Sequence, residues 1–330
     1  MKGLCGLALS VPRGRVARCP PTPREILNRY RASGRHLEGY GEPWALRFYV
    51  EVVRGCSNFY RTLLRLPDGR KCVLCDLCRS GPLGARVSCP IGIPAGCGYC
   101  GVPEIYGPPR SRDPRVVASE IRELVDHGAT RIVLSAPDIL DYGRDLLVDP
   151  LPLTDPRSPP PNLEALEELF ETILAVVPEA RDGDVVVFIE NIKPNLVDER
   201  VAELLGRYFK GTPVHIGVET GDPEHARALG RPASPEEALR AARLLRRHGM
   251  RPYVYFIHGL PGQTLTTARR TVSLMKKLGR AGVEKVTVER FTPLPGTAFQ
   301  DMPPAPPAYR DKASLMIVRE ASRINIEAKR

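Results

Sequence analysis

Six short apolar stretches rich in β-branched residues, set apart by segments with helical periodicity, constrain this chain more than any other feature. They lie at 46–53, 131–135, 185–189, 214–218, 253–257 and 286–291. Strands with a helix between them do not pair as hairpins and so run parallel. A parallel sheet is covered on both faces, which is why a stretch such as Val185 to Ile189 reads as unbroken hydrophobic sequence. The intervening segments carry helix punctuation. Asp113-Pro114 offers an N-cap and a first-turn proline, Val117, Ile121, Leu124 and Val125 share a face, and Gly128 closes the helix. Helices are predicted over 163–176, 197–208 and 265–278, and Ser234-Pro235-Glu236-Glu237 is a capping box for another that stops before Gly249. The expected fold is α/β, a partial (β/α)6 barrel with its working residues at the C-terminal strand ends.

Around that barrel the chain divides into an N-terminal extension (1–44), a core (45–300) with a Cys-rich insertion at 56–89, and a C-terminal helical segment (301–330). The segment from Cys56 to Pro94 reads as a metal-wrapping loop, and 149–161 as a Pro-rich surface loop. A composition of 42% hydrophobic and 26% charged residues excludes a disordered or fibrous chain. No apolar run reaches the roughly 20 residues of a membrane span. Met1 to Val11 has only Lys2 as a basic region and no small-residue cleavage pattern, so a signal peptide is rejected and a cytoplasmic location expected. The net charge of +10 comes mostly from arginines such as Arg240, Arg243, Arg246 and Arg247. It fits either a phosphate-bearing partner or an arginine-rich, thermophile-like composition.

The cysteines are distributed unevenly. Cys5 and Cys19 stand apart as idle thiols, whereas Cys56, Cys72, Cys75, Cys78, Cys89, Cys97 and Cys100 crowd together and none follows. In a reducing compartment such crowding indicates metal rather than disulfides. Cys89 to Cys100 reads C-x7-C-x2-C, with glycines at 92, 96 and 98 that let the backbone curl tightly. Three close thiolates suit a [4Fe–4S] cubane with one open iron better than structural zinc, which takes four ligands. An open iron can be chelated by the amino and carboxylate groups of S-adenosylmethionine; an electron from the cluster then breaks the sulfonium bond to give a 5′-deoxyadenosyl radical. Cys56 with the C-x2-C-x2-C of Cys72, Cys75 and Cys78 supplies four further thiolates, for an auxiliary [4Fe–4S] cluster or for zinc.

The run G-C-G-Y-C-G-V-P-E-I-Y-G-P-P-R-S-R-D-P from Gly96 and R-I-V-L-S-A-P-D-I-L-D-Y-G-R-D from Arg131 are followed in order by Gly217 to Asp222, Ala228 to Arg231, His258 to Thr264 and Thr292 to Thr297. Together they resemble the radical S-adenosylmethionine core of the tRNA methylthiotransferase family. The resemblance implies a ferredoxin- or flavodoxin-type electron donor and a tRNA or RNA substrate. It also implies site roles. Tyr99 lies against the adenine or packs under the loop, while Ser135, Ala136 and Asp138 leave the second strand where backbone carbonyls hold the cofactor's amino group. Arg231 pairs with the cofactor carboxylate or is a surface arginine. Glu190 and Asn191 reach the ribose or substrate, and Glu219 is a functional carboxylate at a strand end. His258 and Arg290 face the cavity as substrate contacts, or His258 is a satisfied core residue.

Two departures mark the chain off from that family: its first cysteine interval is seven rather than three, and neither the N-terminal cluster-binding domain nor the C-terminal RNA-binding barrel is expected. Because Arg54-Gly55-Cys56 ends the first strand as the family's first cluster cysteine does, a third arrangement exchanges Cys56 with Cys89. Three functions stay open: radical C–H activation on RNA, with or without sulfur insertion; the same chemistry on a peptide or small metabolite; and a non-catalytic iron–sulfur or zinc protein.

Overall fold

The computed structural model describes residues 21–328, so Cys5 and Cys19 lie outside the described residues. Among the described residues nine strands form: β1 (Phe48–Glu51), β2 (Val53–Arg54), β3 (Arg110–Ser111), β4 (Arg131–Ser135), β5 (Val186–Ile189), β6 (Asn191–Ile192), β7 (Pro213–Glu219), β8 (Arg251–His258) and β9 (Lys285–Arg290). β1-β4-β5 and β6-β7-β8-β9 are parallel sheets, and β2 pairs antiparallel with β3. Only Glu190 separates β5 from β6, so the two sheets make one wall of six strand positions, an open parallel barrel of the expected kind.

Local sequence accounts for most of the elements. Asp113 caps the Pro114–Asp126 helix through the Arg115 N–H, and the Ser234–Glu237 capping box opens Pro235–Arg247. Ala238, Ala241 and Ala242 bring that helix close against the sheet. Along β7 and β8 burial alternates: Val214, Ile216, Val218, Val254 and Phe256 join the main core beneath the helices, and the residues between them turn the other way. The pairing of β7 with β8 shifts register once, between Gly217 and Glu219. The C-terminal Lys312–Glu327 helix buries Ile317, Ala321 and Ile324, and Asn325 receives the Val286 N–H and donates to the Val286 carbonyl, each at 2.8 Å. It thereby satisfies backbone groups of β9, at the edge of the wall.

Two expectations need correction. The segment from Cys56 to Pro94 is not simply a loop: residues 56–62 are buried, and Leu66 and Ile93 join Leu229, Leu260, Phe291 and Phe299 in a second small core. The Pro-rich segment is not wholly at the surface either. Leu153 and Thr154 are buried, and the fully buried Arg144 donates to the carbonyls of Pro159 at 2.8 Å and Asp155 at 3.2 Å. Proline-rich chain supplies carbonyls without matching N–H donors, and a guanidinium beneath it fills the deficit. Among the described residues, no helix is long and apolar enough to cross a membrane.

Candidate functional site

At the C-terminal ends of the strands a cavity of about 220 Å³ is lined by Cys56, Cys97 and Cys100, with Tyr99, Glu219 and Arg231 on its wall. Cys56 follows β2, where its N–H donates to the Gly107 carbonyl at 3.1 Å. Asn58 then ties the thiols together. Its backbone N–H points at the Cys56 sulfur (3.4 Å), and its side-chain amide donates to the Cys97 sulfur at 3.3 Å and the Gly230 carbonyl at 3.1 Å.

The Cys97–Cys100 turn is pinned on both sides. Gly98 donates to the Leu229 carbonyl and accepts from the Phe299 N–H, both at 2.8 Å. A Cβ at Gly98 would come within 2.3 Å of the Phe299 ring, which explains a glycine between two ligand candidates. Gly230, at φ +81°, lets the segment carrying Arg231 pass directly over the Arg61 and Gly96 backbones.

Burial pushes the Cys56 thiol up to about 11 and Cys100 up to about 12, and the neighbouring cavity thiols add to both shifts. Two thiols that burial keeps protonated, sharing one space with a third, suit joint ligation to a positively charged group. Two cations stand ready to offset the negative charge. Lys193 acts on Cys56, and Arg231 lies within electrostatic reach of Cys97.

Arg231 and Glu219 form a largely enclosed pair in the cavity. The guanidinium donates to the Gly217 carbonyl at 2.7 Å, to Glu219 Oε1 at 3.3 Å and to the Tyr99 hydroxyl, while its Nε has no partner. Burial raises the Glu219 pKa against the pull of Arg231, and burial also carries Tyr99 well above its ordinary value. Glu219 holds φ +65°, a left-handed conformation that costs a non-glycine residue of order 1–3 kcal/mol. That strain, at the β7 register shift, turns the carboxylate into the cavity.

Sequence reasoning missed a polar network directly under Cys56. Asp141, fully buried, accepts from the Ser57 hydroxyl (2.8 Å), Lys193 Nζ (2.8 Å) and Arg144 (2.6 Å). Lys193 also donates through Nζ to Ser57 at 2.9 Å and lies 3.4 Å from Asp138. Burial drives Asp141 upward, but Lys193 and Arg144 outweigh it and hold it below the usual carboxylate range; burial leaves Asp138 raised. The signal was present in Lys193, a charged residue just beyond a strand's C-terminal end, as Glu219 is.

The remaining candidates fall in several places. Asn191 lines the cavity, while Glu190, half-buried, lies within electrostatic reach of Tyr255. Of the segment leaving β4, only Pro137 reaches the cavity: the Ser135 carbonyl accepts from Val52 at 2.9 Å, Ala136 is in the main core, and the Asp138 carboxylate accepts the Leu140 and Lys193 N–H groups. Cys89 is not with Cys97 and Cys100. It lines a separate hollow with Arg61, Leu66 and Ile93, because burial of Ile93 in the second core draws that end of the insertion away. Cys56 takes its expected place.

His258 and Arg290 do not face the cavity. They pair across β8 and β9 in the same alternation as Phe256 and Val288, on the helix-covered side, where Asp311 is an electrostatic neighbour of His258. His258 is buried there, with Nδ1 unpartnered, and Arg290 is exposed.

Three thiols, a strained carboxylate and an arginine share the C-terminal mouth of a parallel half-barrel, a donor set suited to a metal cluster beside an organic ligand. The chain belongs to the radical S-adenosylmethionine superfamily, whose family model matches residues 88–294. Members of the superfamily bind a [4Fe–4S] cluster and S-adenosylmethionine. It is 51% identical over 94% of its length to an uncharacterized protein of Methanopyrus kandleri, covering 57% of that chain. It is 27% identical over 71% of its length to a protein of Pyrococcus horikoshii named "Probable threonylcarbamoyladenosine tRNA methylthiotransferase", covering 52% of it. The chain therefore spans about half the length of these curated relatives. Among solved structures, the radical S-adenosylmethionine methyltransferase TsrM of Kitasatospora setae superposes with a TM-score of 0.52 at 17% identity, over 80% of this chain and 39% of that one, and so shares the fold.

Proposed function

We propose that this chain activates a C–H bond of an RNA substrate, using a [4Fe–4S] cluster held by Cys56, Cys97 and Cys100. The observation that carries the reading is the convergence of those three thiols on the cavity that also holds Tyr99, Glu219 and Arg231. Three thiolates leave one iron of a cubane open. With that group bound, the chemistry supplied is one-electron cleavage of S-adenosylmethionine to methionine and a 5′-deoxyadenosyl radical, the electron coming from a ferredoxin- or flavodoxin-type donor.

The chain's own residues bind and orient. Asn58 aims N–H donors at two of the sulfurs, Lys193 offsets their charge, and the unpartnered Nε of Arg231 is available to the cofactor carboxylate. Tyr99 holds Arg231 from the cluster side and Glu219 from the strand side. Crowded cysteines that serve as metal ligands fit a reducing, cytoplasmic setting.

RNA is favoured by the net charge of +10, by the tRNA-directed relative, and by an aromatic and cationic strip on β7–β9. There His215 stacks on Tyr253 at 5.9 Å, with Arg251 and Lys285 beside the same ring, an arrangement suited to a base and its phosphate. The test is anaerobic: cluster-reconstituted, dithionite-reduced protein is given S-adenosylmethionine with and without bulk tRNA. We expect 5′-deoxyadenosine to form and tRNA binding to weaken steeply with salt. Absence of 5′-deoxyadenosine contradicts the enzyme reading, and absence of tRNA binding at low salt contradicts the substrate.

A further inference from the structure

The insertion carries four cysteines that the catalytic cavity does not use, and three of them, Cys72, Cys78 and Cys89, lie around one buried arginine. Arg61, 3% exposed, spends its guanidinium on backbone carbonyls: Ile93 at 2.8 Å, Arg86 at 3.2 Å, Val87 at 3.1 Å, and Phe59. These bonds close the two ends of the insertion on each other. The guanidinium also reaches the Cys89 sulfur, with Cys78 and Cys72 close enough to act on its charge, and the Arg61 backbone N–H is directed at the Cys78 sulfur. Among the described residues Arg61 makes no salt bridge to a carboxylate. A buried, uncompensated cation is costly, and the groups placed to offset it are thiols.

The cysteine loop itself is shaped for ligation. The Leu74 N–H points at the Cys72 sulfur (3.4 Å). Leu74 at φ +55° and Asp76 at φ +57° are both left-handed, a strain placed on either side of Cys75 in the sequence. Cys72 and Cys89 pack against the second core, whereas Cys75 is exposed at the loop's outer side.

We propose that Cys72, Cys75, Cys78 and Cys89 hold a second [4Fe–4S] cluster, fully ligated and separate from the one in the barrel. The spacing C-x2-C-x2-C with a distant Cys-Pro, here Cys89-Pro90, gives three corners of a cubane from one loop and the fourth from elsewhere. Zinc would draw its four sulfurs to about 3.8 Å of one another at a Zn–S distance of about 2.3 Å. Among the described residues no three ligating side chains converge tightly enough to enclose a single ion. A cubane asks for less convergence, because each thiolate takes its own iron. On ligation the four thiols release four protons, and four thiolates on a 2+ core leave a net charge of about −2, which Arg61 partly neutralises. Asn58, which touches Cys97, and Arg61 are three residues apart, no more than about 11 Å along the chain.

This inference rests on the assignment of Cys56, Cys97 and Cys100 to the catalytic cluster, and metal content separates the two claims. After anaerobic reconstitution with iron and sulfide, in protein whose native fold is checked by circular dichroism, we expect about eight irons per chain and two cluster populations by Mössbauer spectroscopy. Combining Cys72→Ala, Cys75→Ala, Cys78→Ala and Cys89→Ala should halve the iron, and combining Cys56→Ala, Cys97→Ala and Cys100→Ala should halve it likewise. Four irons in the wild type, four irons with one zinc, or an unchanged count in the insertion variant overturns the second cluster. An unchanged count in the barrel variant overturns the functional assignment instead. If the fourfold variant does not fold, Cys75→Ala alone, at the exposed position, is expected to alter one of the two Mössbauer populations; both populations unchanged overturns the proposal.

Discussion

Arg231 and Asp141 show what a single residue does in this site. Arg231 is held by three partners from β7 and the cysteine turn, and its planar fork is what lets one side chain satisfy them together. Arg231→Lys keeps the charge but loses the fork, so KM for S-adenosylmethionine should rise about tenfold or more, readable from 5′-deoxyadenosine formation against cofactor concentration. Asp141 compensates two buried cations. Asp141→Asn leaves Lys193 and Arg144 short of a counter-charge and should cost about 3–5 kcal/mol in denaturant unfolding. The sign with pH follows from its lowered pKa: the stabilisation is in place above the ordinary 3.8 and is lost as pH falls through the folded-state value. The wild type should therefore lose more stability between pH 5 and acid than Asp141→Asn does. Tyr99, Glu219 and Arg231 were legible because their neighbours in sequence form motifs. Asp141 and Ser57 were not, because nothing in a charge pattern says which groups end up facing one another beneath a strand.

At the scale of elements, periodicity carried most of the fold. The Leu163–Val176 helix and the Arg131–Ser135 strand form where hydrophobic spacing placed them, and the capping box at Ser234 closes as its sequence demands. Ser234→Ala should lower stability by about 1 kcal/mol through loss of that cap, measured by thermal or chemical unfolding. Alternation also explains the misplacement of His258. A residue at a strand's end faces the barrel only when its parity does, and Val254 and Phe256 had already committed that parity to the helices. The Cys97–Cys100 turn depends on close approach rather than on periodicity. Gly98→Ala would drive a methyl into Phe299, and it should lower both stability, by about 1–3 kcal/mol, and iron content after reconstitution.

At the scale of the molecule, the half-barrel supplies one rigid mouth and the insertion folds onto its rim. Its two ends are buried: residues 56–62 lie under the catalytic cavity, and Ile93 lies in the second core. That arrangement makes Cys56 and Cys97, 41 positions apart, neighbours, and leaves Cys89 beside Arg61 in a separate hollow. Sequence spacing alone favoured Cys89 because it lies only eleven positions from Cys100. Loop length is a weak guide when both ends of a long insertion are pinned.

The most direct measurement of the central claim is 5′-deoxyadenosine formed from S-adenosylmethionine by dithionite-reduced, reconstituted wild type, Cys56→Ala and Cys89→Ala. If Cys56 completes the catalytic cluster, product falls to background in Cys56→Ala and persists in Cys89→Ala; loss in Cys89→Ala with retention in Cys56→Ala would contradict the account.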